Sequence, residues 1–388
     1  MVNFSGCTVS KEINRKAYLI LEDGTVFEGS AFGADVSAAG EVVFNTGMVG
    51  YPEAFTDPSY RGQILVLTYP LIGNYGVPGN ESENGILKFF ESDKIQIQGL
   101  IVSNYINEYS HWNARRSLSD WMQENKVPGI QGIDTRALTK KLREKGTMLG
   151  KIIIGEINKD IGFDDHNKRN LVAEVSIKEP VSYEKGRKRV VLVDCGTKNN
   201  IIRAFLKRGI TVVRVPWNYD FSGDCYDGII ISNGPGDPKM CKETIKNLRK
   251  VLVGNCPILG ICLGSQILAL AAGAETYKLK YGHRGQNQPC VKNGTKRCYI
   301  TSQNHGYAVN ADSLPEDWEE WFYNNNDKTN EGIRHKTKPF FGAQFHPEAS
   351  PGPDDTEFLF EMFVKEMNEL TQIRVDAQSA SDSSASVC

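Results

Sequence analysis

The sequence predicts an α/β protein in two parts: an N-terminal mixed α/β domain followed by a doubly wound, largely parallel sheet. Three observations carry this. The second half alternates continuous apolar runs with helix-like runs, the pattern of strands covered on both faces by crossover helices. The first half sets short β-like runs between glycines and prolines. A charged stretch with few aromatics, residues 156–189, separates the two. At 388 residues the chain has room for two or three domains, each with its own core.

Residues 1–16 read as an N-terminal extension. Lys11, Glu12, Arg15 and Lys16 without an apolar core do not make a secretory signal, and the acidic residue and scarce arginines disfavour a mitochondrial presequence. The first domain, 17–155, is expected to hold strands over 17–22, 41–45, 63–69 and 95–102 and helices over 112–124 and 135–145. Residues 156–189 are expected to be a linker, partly tucked against the surface. In the second domain, 190–370, strands are expected over 190–194, 211–215, 228–232, 257–261 and 340–345. The helices between them fall over 199–207, stopped at Gly209, then 238–253, then 265–272, closed by Gly273. A last helix over 354–370 opens with Asp354-x-x-Glu357 and lines up Phe358, Leu359, Met362, Phe363, Met367 and Leu370 on one stripe, as core packing. Residues 371–388 read as a flexible serine-rich tail.

Composition narrows the function classes. With 45 basic and 47 acidic residues, net charge −2 and a pI of 6.4, no global basic field points to nucleic acid. Nine scattered cysteines without a C-x-x-C pair imply reduced thiols in a reducing compartment, not a disulfide framework or a zinc site; the expectation is a cytoplasmic protein, with a mitochondrial location as the alternative, and no bound metal. No apolar run approaches the roughly 20 residues that span a bilayer.

The chemistry starts at Gly260-Ile261-Cys262-Leu263-Gly264. A nucleophile on a sharp strand-to-helix turn needs small neighbours, and the helix behind it aims unpaired N–H groups and a positive dipole end at the sulfur. The same residues could be a buried structural cysteine at a strand end. A thiol nucleophile needs a base, and of six histidines His346 stands out, in His346-Pro347-Glu348 after a β-like run. Residues two apart on an extended segment point the same way, so Glu348 can orient the imidazole, and Cys262, His346 and Glu348 make a nucleophile, base and orienter. His305 has amide neighbours and no such carboxylate, and reads as a structural or substrate-loop histidine. His283 and His111 read as surface or core residues. Asn233-Gly234-Pro235-Gly236-Asp237-Pro238 ends another strand at the same sheet edge, and its glycines let backbone N–H groups approach a ligand. The loop Gln303-Asn304-His305-Gly306-Tyr307 offers amide and backbone groups suited to an amino acid.

These motifs, with Gly260 to Gln266 and Gln344-Phe345-His346-Pro347-Glu348, resemble the triad-type, class I glutamine amidotransferases. The first half narrows the resemblance. Leu21-Glu22-Asp23-Gly24, the run from Gly40 to Met48, Thr56-Asp57-Pro58-Ser59-Tyr60, Leu67-Thr68-Tyr69-Pro70 and the run from Gly132 to Thr139 resemble the small, glutamine-hydrolysing subunit of carbamoyl phosphate synthetase. The resemblance implies an oxyanion hole from the N–H groups of Gly236 and Leu263. It further implies glutamine held by Ser59, Gly234, Gly236, Leu263, Gln266, Asn304, Gly306 and Tyr307. Ser59 would come from the N-terminal domain, which would also dock the partner. Ser265 departs from the subfamily, which often has histidine there, and this questions rate tuning more than the triad.

The implied activity is hydrolysis of glutamine to glutamate and ammonia, the latter passed to a synthetase large subunit or fused synthetase domain that makes carbamoyl phosphate for pyrimidine or arginine synthesis. The sequence has no G-x-x-x-x-G-K-[ST] loop, so no cofactor is expected in this chain, and ATP and Mg belong to the partner. Alternatives are an amidotransferase subunit of another biosynthetic ligase, a partner-free cysteine hydrolase and a non-catalytic regulatory subunit.

Overall fold

The computed structural model describes residues 15–157 and 161–385, with side chains described as far as residue 372. Most of the extension expected over 1–16 therefore lies outside the described residues, and Lys16 already opens the first strand.

The N-terminal half closes into a barrel. Its strands are β1 (Lys16–Leu21), β2 (Val26–Gly33), β3 (Ala38–Asn45), β4 (Gln63–Leu67), β5 (Gly99–Ile101), β6 (Pro128–Gln131) and β7 (Met148–Ile154), hydrogen-bonded in the order β1-β7-β3-β4-β5-β6-β2. Alternate residues such as Leu19, Leu21, Val42, Phe44, Ile64, Val66 and Ile152 fill one core. Beyond the four strands expected here, the barrel adds β2, β6 and β7; β2 and β6 are rich in glycine and small residues, which propensity scores as loop. Closure is what requires them: a Cβ on Gly29 would stand 2.2 Å from the carbonyl oxygen of Gln131.

Helix α1 (Tyr51–Thr56) leads into a single 3₁₀ turn, Pro58–Tyr60. Helix α2 (Leu118–Glu124) starts six residues later than expected, because Ser117 caps it by accepting from the Asp120 amide at 3.1 Å, while Ala114–Arg116 is a short strand. Helix α3 (Thr135–Lys145) covers the barrel core with Leu138 and Leu142.

The stretch between the domains carries a 3₁₀ turn (His166–Lys168), helix α4 (Leu171–Val175) and strand β8 (Val181–Tyr183). It is packed: His166 is buried against Gly62, and β8 joins the edge of the second sheet.

That sheet has ten strands. They are β8, then β9 (Arg189–Asp194), β10 (Thr211–Pro216), β11 (Gly228–Ile231), β12 (Ile258–Ile261), β13 (Thr276–Lys292), β14 (Cys298–Val309), β15 (Trp318–Asn324), β16 (Asn330–His335) and β17 (Phe340–Ala343), in the order β8-β10-β9-β11-β12-β17-β16-β15-β13-β14. The centre, β10-β9-β11-β12-β17, is parallel, and antiparallel strands flank it on both sides. Helices α5 (Asn199–Lys207), α6 (Lys242–Val251) and α7 (Leu263–Ala272) make the crossovers. In β9, Val190 and Leu192 enter one core while Val191 and Val193 enter the other, so both faces are covered.

Two expectations are corrected. Residues 303–307 are not a loop but the middle of β14; five polar or small residues in a row hid the strand. The last helix, α8, runs Phe358–Ala385, so the expected flexible tail continues it through residue 385, and 386–388 lie outside the described residues. Residues 371–385 contain neither glycine nor proline, and so nothing stops the helix at Leu370.

Candidate active site

The carboxyl ends of β11, β12 and β17 converge on one cavity, where ligands bind in open α/β sheets. Cys262 caps α7 at φ 53°, ψ −106°, a strained conformation for a side-chain-bearing residue, and is buried. The glycines beside it are there for contact. A Cβ on Gly264 would lie 2.0 Å from the Ile231 carbonyl oxygen, and one on Gly260 would lie 2.5 Å from that of Gly264. The sulfur is 3.8 Å from the Asn304 carbonyl oxygen and 3.6 Å from Nε2 of Gln344, which donates to it.

His346 and Glu348 meet in a turn, not on the extended segment the sequence suggested: β17 ends at Ala343, and the Ala349 amide donates to the His346 carbonyl at 3.1 Å. The turn folds Glu348 back so that Oε1 sits 2.5 Å from His346 Nδ1, both residues buried. The other ring nitrogen, Nε2, has no hydrogen-bond partner among the described residues. Burial disfavours the charged imidazole, yet the charges of Glu348 and Cys262 outweigh it and push His346 up to about 10. Burial likewise opposes charge on Glu348, but Lys198 and His346 hold it down at about 2. The sulfur thus acts on the free side of the imidazole while the carboxylate grips the other.

These shifts set a pH dependence of stability. The folded value of His346 lies above its ordinary 6.5, so its contribution is complete below that pH and lost as pH rises through about 10. The folded value of Glu348 lies below its ordinary 4.5, so its contribution is present above that pH and lost as pH falls through about 2. Denaturant midpoints should therefore decline from pH 6.5 towards 10, and the decline should be shallower in Glu348→Gln. An unchanged alkaline slope in that variant would remove the pair as its source.

Sequence reasoning missed Lys198, just past the end of β9. It is buried, its Nζ lies 3.1 Å from Glu348 Oε1, and it also donates to the Ala349 carbonyl. Burial works against its charge, but Glu348, Glu91 and Asp57 prevail and raise its pKa. Its position at the carboxyl end of a parallel strand was the available signal.

The cavity is lined by Cys262 and by every residue expected to touch substrate: Ser59, Gly234, Gly236, Leu263, Gln266, Asn304, Gly306 and Tyr307. Gln266 donates to the Tyr307 carbonyl and to Gln344 at 2.8 and 2.9 Å, and leaves its own Oε1 buried without a partner. Ser59 crosses from the barrel domain, where its hydroxyl meets Asn233 Nδ2 at 3.0 Å. Asp57 ties the same two domains, accepting from Asn304 at 2.9 Å and Asn233 at 3.3 Å. Glu41, Lys278 and Arg284 also line the cavity, and none was legible beforehand. Ser265 is buried against Gly342, off the cavity lining, so the departure there does not touch the pocket directly.

His305 lines the cavity, with Nδ1 donating to the Tyr307 carbonyl at 2.8 Å and Nε2 lying 3.1 Å from the Gln303 amide oxygen. Burial and the neighbouring His283 keep it neutral. His283 is buried, between Asp327 at 2.8 Å and Glu331 at 3.1 Å. His111 lies exposed on the barrel domain, in a turn after Ser110.

Residues 19–152 match the carbamoyl-phosphate synthase small chain, CPSase domain, and residues 191–366 match glutamine amidotransferase class-I. The chain thus carries one of these domains in each half. It is 55% identical over 354 residues to the multifunctional protein CAD of Squalus acanthias, covering 90% of this chain and 16% of that protein. It is 52% identical over 373 residues to the multifunctional protein pyr1-3 of Dictyostelium discoideum, covering 90% and 17%. It is 54% identical over 354 residues to the mitochondrial carbamoyl-phosphate synthase [ammonia] of Aquarana catesbeiana, covering 90% and 24%. The chain thus spans a quarter or less of these relatives' length. The small-chain domain takes in the barrel, sends Ser59 to the cavity and holds Asn233 and Asn304 through Asp57; the amidotransferase domain supplies Cys262 and His346. Among the described residues no helix is long and apolar enough to cross a membrane.

Proposed function

We propose that this chain hydrolyses glutamine through Cys262, His346 and Glu348 and passes ammonia to a carbamoyl phosphate synthetase large subunit or fused domain. The observation that carries the reading is the buried Glu348–His346 pair turned towards a strained Cys262 at the floor of a cavity fit for an amino acid. His346 takes the thiol proton at Nε2, and the sulfur attacks the side-chain amide carbon. The tetrahedral oxyanion falls to the N–H groups of Gly236 and Leu263. His346 returns its proton to the nitrogen, the carbon–nitrogen bond breaks, and ammonia leaves a γ-glutamyl thioester. Water, relieved of a proton by the same imidazole, then releases glutamate and restores the thiol. The partner would combine ammonia with bicarbonate at the expense of ATP, with Mg, to give carbamoyl phosphate, in the cytoplasm.

The relative named for ammonia supports a second reading, a chain that assists synthesis without using glutamine. One assay decides between them. With its synthetase partner, the chain should yield glutamate and carbamoyl phosphate in step when given glutamine; synthesis from ammonium alone would leave the second reading.

A further inference from the structure

Glu91, in the barrel half ahead of β5, is fully buried and lies off the cavity lining. A buried carboxylate is costly unless hydrogen bonds and a counter-charge answer it, and here the answers come from the other domain. Oε2 accepts from the Asn200 amide at 2.9 Å, and Oε1 meets the Ser350 hydroxyl at 2.8 Å and Arg203 Nη2 at 2.5 Å. The Glu91 carbonyl accepts from the Asn199 amide at 2.9 Å. Asn199 and Asn200 open α5, whose N-cap residue, Lys198, makes no side-chain cap of its own. The barrel domain thus supplies the cap that α5 lacks, and its negative charge suits the positive end of the helix dipole.

The same carboxylate reaches the turn behind the triad. Ala349 at φ 54° and Ser350 at φ 53° are successive side-chain-bearing residues in the left-handed region, which persist only where the surroundings over-determine them. Contacts from α5 and the barrel tie this turn down. Lys198 donates to the Ala349 carbonyl, Asn200 Nδ2 donates to the Glu348 carbonyl, and the Ser350 hydroxyl donates to Glu91. Lys198 and Asn200 both belong to the head of α5, so Glu91 fixes the holders of the turn as well as the turn itself. We infer that Glu91 is a positioning residue of the triad: a barrel-domain carboxylate that clamps the head of α5 to the turn after Glu348 and so sets the carboxylate that orients His346. This rests on the reading of Cys262, His346 and Glu348 as the triad. The amidotransferase domain without its barrel would keep all three residues and lose the clamp.

The test is steady-state glutamine hydrolysis by the full chain carrying Glu91→Gln, which keeps the size of the side chain and removes its charge. kcat should fall by on the order of 10-fold while KM stays within about twofold, since orientation is lost and the cavity lining is untouched. Ser350→Ala, which leaves Glu91 with Arg203 and the α5 amides, should lower kcat in the same sense by about threefold. In a Glu348→Gln background, Glu91→Gln should cost less than about twofold, because a residue acting through Glu348 has nothing left to position. A general structural role would not produce that loss of effect. Unchanged kcat in both Glu91→Gln and Ser350→Ala overturns the inference. So does an undiminished loss on top of Glu348→Gln, or a raised KM with kcat kept. Should Glu91→Gln fail to fold, Ser350→Ala, alone and in the Glu348→Gln background, carries the same comparison. Failure of wild type to hydrolyse glutamine would instead overturn the proposed function. Positioning would then be read from alkylation of Cys262 by iodoacetamide, followed by peptide mass, which should be slower in Glu91→Gln; an equal rate in the two proteins would overturn it.

Discussion

Cys262→Ser is expected to lower the kcat of glutamine hydrolysis by more than about a thousandfold. Synthesis from ammonium by the partner should remain near wild type. The sulfur is the group held at the cavity floor, between the Asn304 carbonyl and the Gln344 amide, and the imidazole's free nitrogen answers to it. A serine hydroxyl holds its proton far more tightly, and its shorter bond draws the nucleophile back towards the elbow. The substitution is nearly isosteric, so the backbone around φ 53° should hold and thermal unfolding should barely move. Glutamate release and carbamoyl phosphate from ammonium, measured on one preparation, check both halves. Near wild-type glutamine hydrolysis by the serine variant would remove Cys262 from the mechanism.

The parts of this site that were legible in sequence are those whose constraints are local. The elbow around Cys262 is legible because Gly260 and Gly264 answer contacts within a few residues or on the adjoining strand. His346 and Glu348 are legible because they are two residues apart, although the turn that joins them reads in sequence as an extended segment. The alternation of apolar strands and helices from Arg189 onward announces a parallel core without any knowledge of pairing. What stayed hidden depends on distant chain segments meeting. Lys198 and Arg284 look like surface cations until the fold buries them, and Asp57 belongs to the site because a 3₁₀ turn of the barrel crosses to Asn233 and Asn304. Barrel closure is hidden for the same reason: β1 pairs with β7 across more than a hundred residues, and no local pattern encodes that register. The strand carrying residues 303–307 misled because its polar side chains face a cavity and a buried charge network. Alternation between core and solvent is then no guide.

His346→Asn should cost about as much as loss of the nucleophile, on the order of a thousandfold or more in thioester formation, since no other base faces the sulfur among the described residues. Glu348→Gln should cost less, by roughly one or two orders of magnitude, because the turn still presents the imidazole and only its orientation and charge partner are lost. The two should differ from a third variant, Lys198→Met, in kind as well as in degree. Lys198 touches Glu348 and not the sulfur or the cavity, so its removal leaves a buried carboxylate answered by His346 alone. Breaking such a buried pair from one side costs about 3–5 kcal/mol of stability, against a smaller effect on chemistry. Single-turnover thioester formation and denaturant unfolding, measured across the three, separate the roles. His346→Asn at wild-type rate, with the loss found instead in His305→Asn, would move the base to His305. The structure argues against that outcome, because His305 donates Nδ1–H to the Tyr307 carbonyl and its Nε2 faces the Gln303 amide oxygen.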